Sequence, residues 1–178
     1  TNVKNTSIKP DQYLVEFEVV KDDSTRAYSG LATIFYSTAT YTFSIDPGYN
    51  YKVRCRLKVG EDYGEWSNFS STVQSVPSKP SEKPTCYATS STSIRVTWPS
   101  VTSADYYELE YSDDIEHFDN MIAELIKVEG NNRYEVTGLD SGAIYYFRVR
   151  ACNESGSSGW TGLSMILIGT TPIAPSTW

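Results

Sequence analysis

IDPGYNYKVRCRL at 45–57 and LDSGAIYYFRVRA at 139–151 are two versions of one pattern, 94 residues apart. In both, apolar residues alternate with polar or charged ones. Val53, Cys55 and Leu57 are separated by Arg54 and Arg56, and Phe147, Val149 and Ala151 by Arg148 and Arg150. A period of two puts successive side chains on opposite faces, so each stretch predicts a half-buried β-strand with an arginine-bearing outer face. The same separation lays Trp66 over Trp160 and carries Tyr13, Val15 and Phe17 onto Tyr107, Leu109 and Tyr111 without a gap. A register kept over three separated segments means two copies of one supersecondary plan.

Working outward, SSTSIRVTW (91–98), YYELEY (106–111), RYEV (133–136) and GWTGLSMILI (159–168) are short and β-rich, with turn residues between them. One stretch, FDNMIAELI at 118–126, has a helical look. Its counterpart YSGLATIFY (28–36) is β-rich, so a loop running into an edge strand is expected there. The fold class is therefore all-β, as two tandem sandwiches. The expected boundaries are 1–78 for the first domain and 79–172 for the second, with a tail at 173–178. Between the copies, VPSKPSEKP (76–84) carries Pro77, Pro80 and Pro84, which favour extended backbone and make a semi-rigid spacer. Subtracting 94 from Ile94–Trp98 lands on TNVK at the chain start, where no matching Trp exists. The first domain is expected to be incomplete at its N-terminal side.

Trp98, the YxLxY strand at 107–111 and the LxxGxxYxFRVRA stretch resemble the fibronectin type III signature, an immunoglobulin-like sandwich. The resemblance covers nearly all of the second copy and most of the first. It implies that Trp98 is core and that Tyr51 and Tyr145 occupy the tyrosine corner, bonding backbone near a strand turn. WSNFS (66–70) and WTGLS (160–164) resemble more weakly the WSxWS box of class I cytokine receptors, with Phe69 and Leu163 replacing the second Trp. That likeness implies stacks of Trp66 with Arg54 and Arg56, and of Trp160 with Arg148 and Arg150.

Composition narrows the function. The chain has a net charge of −7 and a pI near 4.7, so no basic field draws nucleic acid. Residues 1–78 hold 8 Lys and Arg against 9 Asp and Glu, whereas residues 79–178 hold 7 against 13, so the acidity lies in the second copy. No apolar run approaches the ~20 residues of a membrane span, and no direct membrane insertion is expected from this segment. Catalysis needs a positioned base with a nucleophile or metal, yet His117 is the one histidine and sits in an acidic loop. No catalytic residue, metal or cofactor is expected. Asp113, Asp114 and Glu116 lack the Asp-x-Asp-x-Asp-Gly spacing of a calcium loop. The pairing of Glu16 and Glu18 with Arg56 and Arg54, and of Glu108 and Glu110 with Arg150 and Arg148, is expected as cross-strand ion pairs.

What remains is recognition. Candidate partner-binding loops are Gly60, Asp62 and Tyr63 in the first copy and Asn153, Ser155 and Ser157 in the second. Sequons at Asn5, Asn68 and Asn153 are possible glycosylation sites. Cys55 reads as a small core residue, and a Cys86–Cys152 disulfide is left open. The expectation is a non-catalytic spacer and protein-interaction pair in a larger extracellular or cell-surface protein, with an unidentified protein partner and glycan as a further possibility. The alternative is accessory modules of a secreted carbohydrate-active enzyme or adhesin.

Overall fold

The computed structural model describes residues 13–22 and 25–169. It divides into two compact units, residues 1–75 and 76–178; the expected tail at 173–178 and Asn5 lie outside the described residues.

In the second unit, β7 (Thr85–Ser90), β8 (Ser93–Thr97) and β11 (Arg133–Thr137) form one sheet in the order β11-β8-β7. The other sheet runs β10 (Glu124–Glu129), β9 (Tyr106–Ser112), β12 (Ile144–Asn153) and β13 (Gly156–Ser157), with β14 (Ser164–Leu167) also on β12. All pairings are antiparallel. The alternation in FRVRA does what a period of two requires. Phe147, Val149 and Ala151 are each fully buried, packed with Leu109, Ile94, Val96 and Ile168. Trp98 joins this core at 3% exposure, edge-on to Tyr107 at 5.5 Å. Burying a large apolar side chain is worth about 1.5–3 kcal/mol, so these inward positions dominate the unit's stability.

The first unit has one sheet among the described residues. Its order is β3 (Thr38–Ala39), β2 (Arg26–Phe35), β1 (Tyr13–Lys21), β4 (Asn50–Val59) and β5 (Asp62–Tyr63), with β6 (Val73–Gln74) on β4. It corresponds to the larger sheet of the second unit. Its inner face is covered differently: Tyr41 and Phe43 lie across it, Tyr41 stacked on Phe17 at 6.0 Å and Phe43 tilted against Tyr28 at 5.6 Å. Tyr41 sits so close to Gly30 that an added Cβ would fall 2.2 Å from its ring, which is why this strand position has no side chain. Leu57, at the ladder position of the fully buried Ala151, is 43% exposed, and Cys55 is half-buried where Val149 is sealed.

The two copies do not share one register throughout. Glu18 pairs with Arg54 and Glu16 with Arg56, while Glu110 pairs with Arg148 and Glu108 with Arg150. The separation is 94 in the arginine strand but 92 in the glutamate strand. Val15, Phe17 and Val19 therefore correspond to Tyr107, Leu109 and Tyr111, correcting the gapless alignment. A slide of two residues keeps every side chain on its face, so alternation alone cannot detect it.

The stretch at 118–126 is no helix. A short 3₁₀ turn, Ile115–Phe118, is capped by the Asp114 carboxylate accepting from the Glu116 amide at 2.9 Å, and the chain then enters edge strand β10. Pro77 and Pro80 are fully buried, so the proline segment is anchored rather than free.

Candidate functional site

The outer faces of β1 and β4, and of β9 and β12, bring the arginines, glutamates and tryptophans together. Arg54 lies over the Trp66 ring at 4.7 Å and Arg56 at 4.4 Å; Arg148 and Arg150 lie over Trp160 at 4.8 and 4.4 Å. Each guanidinium also donates to its cross-strand carboxylate, Arg56 to Glu16 at 2.6 Å and Arg150 to Glu108 at 2.5 Å, with Arg54 on Glu18 and Arg148 on Glu110. Charge-assisted bonds of this kind hold the long side chains flat against the rings.

The tryptophan segments are laid down by small hydroxyl residues. Ser67 and Thr161 each donate their amide to a strand carbonyl and accept, through the hydroxyl, from the N–H of that same strand residue. Ser67 N bonds Cys55 O at 2.8 Å while Cys55 N reaches Ser67 Oγ at 3.0 Å; Thr161 N bonds Val149 O at 2.9 Å and Val149 N reaches Thr161 Oγ1 at 3.0 Å. The hydroxyls replace a missing strand partner, which explains a Ser or Thr after each Trp. The copies differ beyond this. Phe69 adds a second ring on Arg54 at 4.8 Å, whereas Leu163 offers none and Phe118, reaching in from the 3₁₀ turn, covers Arg148 at 4.9 Å. Phe118 went unread in the sequence, although an apolar ring inside SDDIEHFDN was its signal.

Both corner tyrosines bond backbone. Tyr51 Oη accepts from the Asp46 amide at 3.0 Å, and Tyr145 Oη from the Asp140 amide at 3.1 Å. Gly48 and Gly142, with φ of 86° and 83°, make the turn between in a region L side chains avoid.

One candidate residue needs correction and another a closer placement. Tyr63 lies in β5 beside the hairpin turn, 47% exposed, with Arg56 4.1 Å from its ring centroid. Asn153 is neither an accessible sequon nor a contact residue. It is 4% exposed, its Nδ2 donates to Ser103 O at 3.3 Å and its Oδ1 accepts from the Ser155 amide at 2.9 Å. Asn68 is exposed, as are Gly60, Asp62, Ser155 and Ser157 at the two hairpin ends. His117 is held by Ser112 Oγ at 2.7 Å from Nδ1. Cys86 and Cys152 are free thiols; burial pushes Cys86 up to about 12 and raises Cys152 as well. Among the described residues no cluster of His, Cys, Asp or Glu can hold a metal, and no helix is long and apolar enough to cross a membrane.

Two facing antiparallel sheets, a buried Trp between them and a tyrosine corner define the second unit as an immunoglobulin-like β-sandwich. The fibronectin type III domain model matches residues 78–164, and this part of the chain belongs to that family. The chain is 27% identical over 178 residues to receptor-type tyrosine-protein phosphatase F of Mus musculus and 26% identical to that of Rattus norvegicus. Each match covers 95% of this chain but 9% of the relative. Among solved structures, a two fibronectin type III domain segment from chicken tenascin covers 86% of this chain and 83% of its own, at 15% identity and a TM-score of 0.52. That likeness concerns the fold alone.

Proposed function

We propose that the chain is a pair of non-catalytic modules in a larger extracellular or cell-surface protein, serving as a spacer and as a protein-interaction unit. The observation that carries this reading is how the outer-face chemistry is spent. The arginines and glutamates that would make a reactive or charged site are bonded to one another and capped by Trp66 and Trp160. Recognition falls to the hairpin ends around Asp62 and around Ser155 and Ser157, which loops on a rigid scaffold present to solvent. The first unit repeats the sheet that bears this ladder, with Leu57 exposed where Ala151 is buried.

The test is an array of recombinant cell-surface ectodomains and of glycans, probed with the 178-residue chain and with variants Asp62→Lys and Ser155→Trp. Saturable binding to an ectodomain that either variant weakens at least tenfold is expected. Binding confined to glycans favours an accessory module, and substrate turnover abolished by a single substitution refutes the non-catalytic reading.

A further inference from the structure

The outer face of the first unit carries a cavity of about 460 Å³ among β1, β2 and β4. Strand register builds it: Val20 stands opposite both Arg26 and Lys52, and Glu18 opposite Arg54, so these side chains leave one face side by side. Phe69 and Thr72 close one side.

Its electrostatics run against the rest of this acidic chain. The Glu18 side chain is 5% exposed and is shared by two guanidiniums, Arg26 Nε on one carboxylate oxygen at 2.7 Å and Arg54 on the other. Burial pushes the Glu18 carboxyl up, but the hydrogen bonds and charges of Arg54 and Arg26 outweigh it and hold the group below the usual range. One carboxylate thus serves two cations. Lys21 is occupied by Asp46 at 2.7 Å, and Asp22 accepts from the Asn50 amide at 3.1 Å. Lys52 is exposed with no ion-pair partner among the described residues, and the Arg26 side chain is 60% exposed. Arg26, Lys52 and Arg54 against Glu18 and Asp22 leave the lip positive. In the second unit Phe118 fills the corresponding space over Arg148, whose guanidinium donates to the Phe118 carbonyl at 3.2 Å, and Tyr146 replaces Lys52.

We propose that this cavity binds an acidic saccharide unit, with the carboxylate or sulfate seated between Arg26 and Lys52 and the sugar ring against Phe69. Arg26 holds Glu18 through Nε and Nη2 and keeps its outer N–H donors for an oxyanion, beside the Lys52 ammonium. A sugar also needs partners for its hydroxyls, and Thr72, Asn50 and Asp22 on the lining supply donors and acceptors together. Phe69, 42% exposed, gives the apolar wall that small-molecule sites pair with a few placed polar groups. An acidic peptide gains from the same cations but brings no array of hydroxyls to meet Thr72, Asn50 and Asp22. The inference goes beyond the module reading and holds wherever the parent protein resides.

The experiment is an amide chemical-shift titration of the isotope-labelled chain with methyl glucuronide, methyl glucoside, N-acetylglucosamine 6-sulfate, N-acetylglucosamine and triglutamate. Saturable shifts at Arg26, Lys52 and Thr72 with the two anionic sugars, at a dissociation constant of roughly 1–10 mM, are expected, with none from the neutral ones. Lys52→Glu should weaken binding at least about threefold, the scale of one exposed ion pair, while Arg133→Glu, an equal charge change in the second unit, leaves it intact. Lys52 holds no structural bond, so the variant folds, and the unchanged spectrum away from the cavity verifies it. Equal shifts from neutral and anionic sugars, or unchanged affinity in Lys52→Glu, overturn the proposal. Triglutamate binding more tightly than either sugar overturns it in favour of a peptide.

Discussion

Trp160 separates a structural ladder from a binding surface. Its ring takes Arg148 and Arg150 at 4.8 and 4.4 Å, and both guanidiniums remain tied to Glu110 and Glu108 if the ring is removed. Trp160→Leu keeps apolar bulk and removes the π face, so the loss is two cation–π contacts of about 0.5–1 kcal/mol each, or about 1–2 kcal/mol in all. Trp160→Ala adds the loss of packed surface. For a unit of this size 1 kcal/mol shifts Tm by roughly 4–8 °C, so Trp160→Leu should melt about 4–16 °C lower. The assay is thermal unfolding by far-UV circular dichroism, which does not depend on tryptophan as its probe. Wild-type melting in Trp160→Leu would refute the ladder as a stabilising device. Unchanged stability with lost partner binding would show the ring to be a contact residue.

Other substitutions probe separate parts of the account. Tyr145→Phe leaves the Asp140 amide without its acceptor and should cost about 1–2 kcal/mol in urea unfolding of the second unit. Gly30→Ala forces a methyl into the Tyr41 ring and should destabilise the first unit by about 1–3 kcal/mol, read as a lower urea midpoint that Gly30→Ala with Tyr41→Ala partly restores. With Cys86 pushed up to about 12, its thiolate is scarce at pH 8. Iodoacetamide should label it about a thousandfold more slowly than a cysteine in an unstructured peptide, as followed by mass spectrometry. Glu18 is depressed in the folded state, so the stability it contributes is present above the ordinary carboxylate pKa and is lost as pH falls through its lower folded value. Glu18→Gln should therefore flatten the acid limb of the first unit's stability profile.

The sequence made β4 and β12 plain, because VRCRL and FRVRA fix which side chains face inward, and Gly48 and Gly142 mark one shared turn. It left the neighbouring strand ambiguous by two residues, since YLVEFEV and YYELEY alternate equally well in either register; only the glutamate–arginine pairing decides. The hairpin residues were legible as hairpins but not as surfaces. The contact of Tyr63 with Arg56 depends on the pairing of β5, and the burial of Asn153 depends on Ser103, 50 residues away. The cavity of the first unit was invisible for the same reason: Arg26 and Lys52 meet only across β1.

The amides of Cys55 and Val149 decide whether the two units are one module in two states of closure. Each donates to a hydroxyl at 3.0 Å on its neighbouring tryptophan segment, so their local bonds are alike, yet Val149 is fully buried under a second sheet and Cys55 is half-buried. Residue-resolved hydrogen exchange on the 178-residue chain compares them directly. Exchange at Val149 slower than at Cys55 by about a hundredfold or more is the result this account predicts, because Val149 opens only with its whole sandwich. Equal protection at the two amides would contradict it and would mean that the first unit is as closed as the second.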